Sequence, residues 1–194
     1  MEKELQLIRE AVFRLQPLEP DEWDMFAAAL QCRSFAKGDF LIREGQVEQY
    51  IYFLNSGATR HFFIRDGKEF TVDFRFAGDF VTAYYSLITR EPSAVFITFL
   101  EEASVWAIPY RSILGFYDRY KNGERIGRMI AEDAYVRRLR REMELLSLTA
   151  EERYARLMAL SPQLISQLSV KHLSSYLGVQ PESLSRIRKA FGKS

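Results

Sequence analysis

The spacing of hydrophobic side chains changes twice along the chain, and each change marks a different kind of structure. Residues 1–31 keep helical spacing and are interrupted by Pro17 and Pro20, which predicts two helices. The second helix is expected to start at Pro20, with acids in its first turn. The apolar stripes of the two helices are Leu5, Ile8, Val12 and Leu15, then Trp23, Phe26, Ala27 and Leu30.

Residues 33–108 contain short runs of β-branched and aromatic residues between recurring glycines, which is typical of an all-β domain. Asp66-Gly67 lies between two of these runs and is a strong signal for a hairpin turn. We therefore expect one sandwich or barrel-like roll in this part of the chain. The clearest runs are 50–54, 59–64, 69–74 and 94–99.

Residues 110–194 return to helical spacing. One helix is expected over 110–120, ending near Asn122-Gly123, and a longer one over about 124–146. The long helix has a heptad pattern with one polar departure, and its flanks are charged. This narrow stripe favours a second copy of the helix as partner, although it could pack on the chain's own roll instead. The heptad positions are Met129, Glu132, Val136, Leu139, Met143 and Leu146.

A further helix is predicted after the long one. Thr149 and Glu152 form a capping box at its start, and Ser161-Pro162 should end it. Its expected buried face is Tyr154, Leu157, Met158 and Leu160.

The segment 168–194 has the features of a helix-turn-helix. Ser169 can cap a short helix over 170–177, Gly178 supplies the left-handed backbone of a turn, and Pro181 suits the first position of a second helix. Small Ser174 allows the two helices to cross closely. Their shared apolar seam is expected to be Leu173, Leu177, Val179, Leu184 and Ile187, opposite Ser183, Arg186 and Lys189.

Positive charge is gathered in the same segment. It contains five basic side chains and one acidic one, a net charge of +4 in a chain whose total is +1, so the remaining residues carry −3. This distribution is typical of a near-neutral domain joined to a polyanion binder. It favours a DNA-binding helix pair over a solvated basic tail.

The composition limits the other classes of protein. With 194 residues, 47% of them hydrophobic, the chain can bury the core of one or two domains, and no apolar run is long enough to span a membrane. The single cysteine, Cys32, excludes an internal disulfide and is expected to be a small buried residue. Together with a charged start that lacks a signal peptide, these features predict a cytoplasmic protein.

In this order, the three parts resemble the cyclic-AMP receptor protein / fumarate-nitrate regulator (Crp-Fnr) family of bacterial transcription regulators, over nearly the whole chain. The order and spacing of several short motifs carry the resemblance, since each motif alone is weak. In the β-rich part they are Lys37-Gly38-Asp39, Arg43-Glu44-Gly45, Leu54-Asn55-Ser56-Gly57 and Gly78-Asp79-Phe80. In the last part they are 173–179 and 182–187.

The resemblance implies an α+β fold. It comprises an N-terminal β-roll (a double-stranded β-helix of the cyclic-nucleotide-binding type), a long dimerisation helix and a C-terminal, winged-helix-like helix-turn-helix. The corresponding domains are 1–122 for the sensor roll with its N-terminal helices, 123–147 for dimerisation and 148–194 for DNA binding. Two chains would pair through Met129, Val136, Leu139, Met143 and Leu146. The stretch between Ser161 and Leu168 is too short for a long hairpin, so we expect any wing to be rudimentary or absent.

By position, the resemblance assigns base contacts to Glu182 and Arg186, since arginine suits guanine and glutamate suits N4 of cytosine. Arg186 could also pair with Glu182 one turn earlier. The family's first base-reading arginine is replaced by Pro181, so the target sequence should differ. Gln180 and Ser183 are the next candidates, and Ser169, Lys171 and Lys189 would contact phosphates. The expected partner is double-stranded DNA with a near-palindromic site, and RNA polymerase is left open as a second partner.

The nucleotide-binding cassette departs from the family pattern. Ala83 stands where a ribose-binding glutamate is expected, and Pro92 where a phosphate-binding arginine is expected. A buried phosphate without its cation is unfavourable, and Pro92 stiffens the path by which Arg90 could substitute. We therefore expect that cyclic AMP and cyclic GMP do not bind in the usual way. The degenerate pocket comprises Ala83, Tyr84, Tyr85, Arg90, Pro92 and Ser93.

The effector is left open by the sequence. The vacated pocket could hold a small apolar or aromatic effector, or it could be filled by its own side chains. One cysteine cannot hold an iron–sulfur cluster, and His61 and His172 are expected to be structural or surface histidines rather than haem ligands. We expect no cofactor, metal or catalytic site. The aromatic residues around the cassette, mostly expected in the roll core, are Phe74, Phe76, Phe80, Tyr84 and Tyr85.

Two other functions fit less of the sequence. An enzyme of the cupin type needs clustered His and carboxylate ligands on strands, and the predicted roll contains only His61. The main alternative is a regulatory module that binds an effector or a protein partner and has lost DNA binding. Arg186 and the basic terminus argue against it.

Overall fold

The computed structural model describes residues 2–160, 165 and 168–191, and the chain divides into two compact units. The first unit spans 1–63 and 73–133, and the second spans 64–72 and 134–194. None of the described helices is both long and apolar enough to cross a membrane. The predicted domain boundaries at 122 and 147 stay predictions.

The β-rich part forms two four-stranded sheets. The strands are β1 Gln31–Phe35, β2 Phe40–Ile42, β3 Tyr50–Ser56, β4 Ala58–Arg65, β5 Lys68–Phe76, β6 Phe80–Val81, β7 Phe96–Phe99 and β8 Ala103–Pro109. One sheet has the order β1-β8-β3-β6, and the other has the order β2-β7-β4-β5. Between β4 and β5, Asp66 and Gly67 both have positive φ (51° and 71°), as a two-residue hairpin turn of type I′ requires. The predicted hairpin is confirmed.

Alternation along β3 and β8 gives the first sheet two apolar faces. Tyr52 and Leu54 of β3 face the interior of the roll and pack with Ile97 and Phe99 of the second sheet. Phe53 and Ile108 face outward and pack on helices. The helices of this unit are α1 Glu2–Leu15, α2 Pro20–Ala28, α3 Tyr84–Thr89, α4 Tyr110–Arg119 and the first part of α5 Lys121–Ser147.

The start of the long helix differs from the prediction. The preceding helix ends at Arg119, close to the predicted position, but Asn122-Gly123 is not a turn between the helices, because α5 begins at Lys121 and includes both residues in its first turn. Gly123 is needed there because a Cβ would collide with the ring of Phe116 on α4. The amide of Asn122 donates to both carboxylate oxygens of buried Glu22, at 3.0 and 3.2 Å. Asn122-Gly123 resembles a turn signal in the sequence, but its two residues are explained by contacts with Glu22 and Phe116.

Cys32 is exposed, so the prediction of a buried cysteine is wrong. It lies on β1, the edge strand of its sheet, opposite Trp106. Phe35 of the same strand packs against the interior of the roll. Cys32 is an odd number of positions from Phe35 and therefore projects from the opposite face of the strand.

In the second unit, α5 continues to Ser147 and is followed by α6 Ala150–Leu160, α7 Val170–Leu177 and α8 Pro181–Phe191. The capping box is confirmed: the Thr149 N–H donates to Glu152 Oε2 (2.7 Å) and the Glu152 N–H donates to Thr149 Oγ1 (3.2 Å). Hydrogen bonding of the Glu152 carboxylate to the backbone and side chain of Thr149 lowers the pKa of Glu152. Tyr154 is buried as expected, but Met158 is 41% exposed. The side chain of Leu160 and the predicted helix end at Ser161-Pro162 lie outside the described residues.

Candidate functional site

Helices α7 and α8 form the predicted helix-turn-helix. At the start of α7 the Ser169 hydroxyl accepts a hydrogen bond from the His172 N–H (3.2 Å). At its end Gly178 has φ +70°, and its N–H donates to the Ser175 carbonyl (3.3 Å). Pro181 occupies the first position of α8. All three local predictions are therefore confirmed.

The seam between these two helices is mainly apolar. Leu173, Leu177, Leu184 and Ile187 are each at most 5% exposed, and burial of each contributes about 2 kcal/mol. Val179, also predicted in the seam, is only half-buried. Ser174 is buried between the helices and donates its hydroxyl proton to the Lys171 carbonyl (3.0 Å), so it satisfies its own polarity.

The residues of α8 that were predicted to contact bases or phosphates lie on the other side of the helix. Glu182, Arg186 and Lys189 are exposed, as is Gln180 just before the helix, whereas Ser183 is half-buried. The Arg186 guanidinium donates to Ser183 Oγ (3.3 Å). Within the described part of the chain no ion pair joins Arg186 to Glu182, so the predicted pairing is not formed. Arg186 therefore keeps most of its donors available to a ligand.

Sequence reasoning missed a set of contacts between the β4–β5 hairpin and α7. The tip of the β4–β5 hairpin lies against this helix, because Ser175 Oγ accepts from the Thr71 N–H and donates to the Glu69 carbonyl, both at 2.9 Å. The Lys171 ammonium, predicted to contact phosphate, lies 3.2 Å from the Glu69 carboxylate and remains 70% exposed. No local pattern could reveal contacts between residues about a hundred positions apart.

Two arginines cap the carboxyl end of α7. Arg141 of α5 donates to the Tyr176 carbonyl and lies over its ring, with 3.9 Å from guanidinium carbon to ring centroid. Arg153 of α6 donates to the Leu177 carbonyl from Nε (3.1 Å) and Nη2 (2.9 Å). Cations at a helix carboxyl end satisfy orphan carbonyls and the dipole. In the sequence Arg141 resembles an ordinary charged flank of the heptad stripe.

The exposure of the heptad positions increases from the amino end of α5 to its carboxyl end. Ile126 and Ile130, outside the heptad stripe, pack on the helices and the outer sheet face of the first unit, and Met129 is half-buried. Glu132 pairs with Arg128 (2.7 Å) on the surface. Four further heptad residues are exposed large apolar side chains, namely Val136 (51%), Leu139 (43%), Met143 (59%) and Leu146 (82%).

The cassette between β6 and β7 makes hydrogen bonds to Glu48, which precedes β3. Ala83 is buried at the start of α3, and its N–H points at Glu48 Oε2 (3.5 Å). The Glu48 carboxylate also accepts from the N–H groups of Gln49 (2.9 Å) and Tyr50 (3.1 Å). Burial raises the pKa of this carboxyl. Sequence reasoning missed Glu48, although it stands just before the strand that carries the roll core.

Within the cassette, no other side chain takes over the role of the ribose-binding glutamate or of the phosphate-binding arginine that the resemblance led us to expect. Pro92 is exposed, while Ser93 is buried and bonds to Val95. Arg90, at the end of α3, donates to the Glu48 carbonyl (3.4 Å), and its guanidinium lies 5.0 Å from the ring centroid of Tyr110. Arg90 is exposed, and its contacts with Glu48 and Tyr110 use only part of its guanidinium group.

Two polar side chains, Thr59 and His61, lie on the inner face of the roll. Thr59 and His61 pair in register with Phe99 and Ile97, so their side chains share the inner face of that sheet. Thr59 Oγ1 and His61 Nε2 are buried and have no hydrogen-bond partner among the described residues. Burial, with Arg75 nearby, lowers the pKa of His61 to about 3.

Two aromatic predictions are wrong. Tyr84 and Tyr85 are 52% and 64% exposed, and the Tyr85 hydroxyl donates to the Glu91 carboxylate (2.6 Å). Of the cassette aromatics, Phe74 is buried, while Phe76 and Phe80 are half-buried. The short helix α3 turns its Ser86-Leu87 side inward, which leaves its two tyrosines facing out.

Comparison with known proteins agrees with this architecture. Residues 32–120 match the family of the cyclic nucleotide-binding domain. The structure is similar to FixK2 from Bradyrhizobium japonicum (TM-score 0.74, 20% identity, covering 84% of this chain and 85% of that one). It is also similar to the c-di-GMP responsive global regulator CLP of Xanthomonas campestris (TM-score 0.71, 17% identity, covering 90% and 92%). A third neighbour, from Eubacterium rectale, is described as a transcriptional regulator of the crp/fnr family (TM-score 0.71, 14% identity, covering 90% and 84%).

No curated protein sequence matches the chain. The match over 32–120 and the structural likenesses confirm the predicted resemblance: the chain carries a cyclic nucleotide-binding-type roll within the overall fold of Crp/Fnr transcription regulators. The α+β fold class, with roll, long helix and C-terminal helices, is likewise confirmed.

Proposed function

We propose that this protein is a sequence-specific DNA-binding transcription regulator that acts as a homodimer in the cytoplasm. One observation carries the proposal: burial of Leu184 and Ile187 on one side of α8 leaves Arg186 and Lys189 exposed on the other. A helix held in this way presents its amino-terminal half to the major groove. The fold likeness to transcription regulators supports the same role.

The predicted contact residues of the helix pair have different proposed roles. Arg186 and Glu182 contact base edges, with Gln180 and Ser183 beside them. Ser169, Lys171 and Lys189 contact phosphates and position the helix. Pro181 replaces a base-contacting residue of the family, so the target sequence differs from the family's usual one.

The dimer interface is proposed along the carboxyl half of α5. Four heptad side chains are exposed there, while Arg141, on the opposite side of the helix, bonds to α7 of its own chain. An exposed apolar seam of this length is unfavourable in water, and a second copy would cover it. Met129 extends the seam towards the amino end. Two recognition helices would then lie about 34 Å apart and contact a near-palindrome.

The roll is proposed not to sense cyclic AMP or cyclic GMP in the usual way, because Ala83 and Pro92 lack the groups that bind ribose and phosphate. Calorimetric titration of the full chain should give no saturable heat at micromolar cyclic nucleotide, with an authentic cyclic-AMP receptor as positive control. Micromolar binding would overturn this part of the proposal. A small effector of another class and contact with RNA polymerase remain compatible with it.

The test of the function combines mass and DNA binding. Leu139→Glu should convert a dimer into a monomer in analytical ultracentrifugation and abolish binding to duplexes that the wild type selects from a random library. Arg138→Glu is the matched control, because Arg138 is exposed on the same helix but lies off the heptad stripe. A wild-type chain that is monomeric and ignores duplexes in dilute salt would favour the alternative, a partner-binding module without DNA binding.

A further inference from the structure

A cavity lies on the outer face of the first sheet, away from the interior of the roll, and the cassette residues Thr82, Tyr84 and Ile88 contribute to its wall. Its wall is built by Ile51, Phe80 and Ile108, which face outward. Their neighbours Tyr52, Val81 and Ala107 face the interior of the roll. Because side chains alternate across a strand, the outer cavity and the roll interior are separated by the sheet itself.

The outer cavity has a volume of about 360 Å³ and lies between the sheet and helices α1, α3, α4 and α5. This is within the range of about 300–1,000 Å³ found for small-molecule sites. Its wall is mainly aliphatic and aromatic, with Ile113, Phe116, Ile126 and Ile130 on the helix side. Charged side chains are confined to Glu124 and Arg128 of α5, both exposed, and Arg128 is already paired with Glu132.

Glycine shapes the helix wall of this cavity. Gly127 lies one turn after Gly123 on α5, and both border the cavity. A Cβ at Gly127 would collide with the hydroxyl group of Tyr117, as one at Gly123 would collide with the ring of Phe116. The two glycines therefore let the α4 rings approach the α5 backbone and hold the Tyr117 phenol at the cavity wall.

Tyr117 supplies the cavity with a hydrogen-bond donor. The described residues give its hydroxyl no hydrogen-bond partner, and burial, with Tyr110, Tyr84 and Glu124 nearby, raises its pKa to about 12. The phenol therefore stays protonated and neutral at any physiological pH. A half-buried donor without a partner favours an acceptor oxygen, and a mainly apolar wall whose cation, Arg128, is already paired with Glu132 disfavours an anion.

We propose that the outer cavity binds an uncharged, mostly apolar small molecule of two or three rings that carries one hydrogen-bond-accepting oxygen, held by the Tyr117 hydroxyl. The ligand contacts α5 between Gly123 and Ala131, and the same helix continues to Ser147. Its occupation therefore biases the position of the helix that we assign to dimerisation. That regulatory step rests on the proposed function, whereas the binding itself does not.

The binding test uses the full chain and two probes of the same shape, 2-acetylnaphthalene and 2-naphthoate, titrated by calorimetry. The neutral ketone should bind at a single site, and the carboxylate should bind at least about tenfold more weakly. Tyr117→Phe should weaken binding of the ketone about fivefold, the effect of one lost hydrogen bond. No saturable binding of the ketone up to its solubility limit would overturn the proposal.

Two tryptophan variants locate the bound probe. Ile88 lies at the mouth of the cavity and is 47% exposed, so Ile88→Trp should block entry and lower affinity at least about tenfold without repacking the core. Leu114→Trp is the matched control, because Leu114 is 41% exposed on α4 and does not line the cavity. Equal effects of the two variants, or none from Ile88→Trp, would place the ligand elsewhere. Gly127→Ala gives a second way to alter the wall, through displacement of Tyr117.

Failure of this inference and failure of the proposed function give different results. Loss of ketone binding with intact DNA binding rejects only the outer cavity. Ketone binding by a chain that ignores DNA rejects only the transcription-regulator role. We expect the chain to bind both the ketone and DNA. Saturating ketone should then change the affinity of the wild type for its selected duplex, but not the affinity of Ile88→Trp.

Discussion

The Lys171 ammonium lies 3.2 Å from the Glu69 carboxylate, so the tip of the β4–β5 hairpin neutralises one cation of the predicted phosphate-contacting set. The Lys171 side chain is 70% exposed and the Glu69 side chain 29%, and a pair this open to solvent is weak in water. Polyanionic DNA can therefore compete with Glu69 for Lys171. The hairpin tip is held on α7 in addition by the two hydrogen bonds of Ser175, which DNA does not replace.

We predict that Glu69→Gln strengthens DNA binding. The substitution removes the competing carboxylate and keeps the size of the side chain, so Lys171 becomes fully available to phosphate. The slope of log affinity against log salt should steepen by about one phosphate contact, on random as well as selected duplexes. Fluorescence anisotropy across a salt series measures this slope.

Glu142→Gln controls for the loss of one negative charge, because Glu142 is an exposed acid of the same unit. It should raise affinity less than Glu69→Gln and leave the slope unchanged. If both variants steepen the slope equally, the effect is one of overall charge and the Lys171–Glu69 pair has no special role.

Arg186 and Lys189 should separate specificity from affinity. We predict that Arg186→Ala weakens binding to the selected duplex by about 1–3 kcal/mol and relaxes base preference at one position of each half-site. Lys189→Ala should weaken selected and random duplexes alike and flatten the salt dependence. Competition binding against a set of single-base variants measures both effects. An equal loss on selected and random DNA for Arg186→Ala would reduce that residue to a phosphate contact.

Ser169 combines two roles that substitutions can separate. Its hydroxyl caps α7, so Ser169→Ala should lower the free energy of unfolding by about 1 kcal/mol. Aspartate caps equally well, so Ser169→Asp should keep the stability but repel phosphate and weaken DNA binding. Urea denaturation and anisotropy measure the two properties. Unchanged DNA affinity in Ser169→Asp would remove Ser169 from the proposed interface.

Local signals account for the parts of the fold that the sequence predicts well. Ser169, Gly178 and Pro181 each act within one turn of their own position; α7 has the predicted bounds, and α8 begins at the predicted residue. Asp66-Gly67 likewise fixes its hairpin through backbone angles alone. Such features need no knowledge of distant residues, which is why periodicity and turn chemistry suffice.

The errors come from contacts across the sequence. Gly123 makes room for Phe116, and nothing near it in the chain distinguishes that role from a turn. Arg141 and Glu69 resemble ordinary surface charges until α7 is packed against them. Tyr84 and Tyr85 are large aromatic residues of the kind that is often buried. The six-residue helix α3 buries only the side that carries Ser86 and Leu87, so both tyrosines stay exposed. Which face of an element becomes buried depends on its neighbours, and a single sequence does not specify them.

The Nε2 atom of His61 is buried in the roll, although the residue as a whole is only half-buried. Its Nε2 atom has no hydrogen-bond partner among the described residues, and the nearby Arg75 further disfavours a second positive charge. The pKa therefore falls from 6.5 to about 3, and the imidazole is neutral in the folded protein at physiological pH. Any proton placed on it would be buried without compensation.

We predict that His61 makes the roll sensitive to acid. Between pH 6.5 and about 3 the unfolded chain binds a proton at this residue and the folded chain does not, so stability falls as the pH is lowered through that window. His61→Leu should remove up to about 1.4 kcal/mol of this loss per pH unit. Urea denaturation of the wild type and His61→Leu at a series of pH values measures the difference. An identical slope in His61→Leu would mean that His61 takes up its proton in the folded roll, with water or a ligand as its partner.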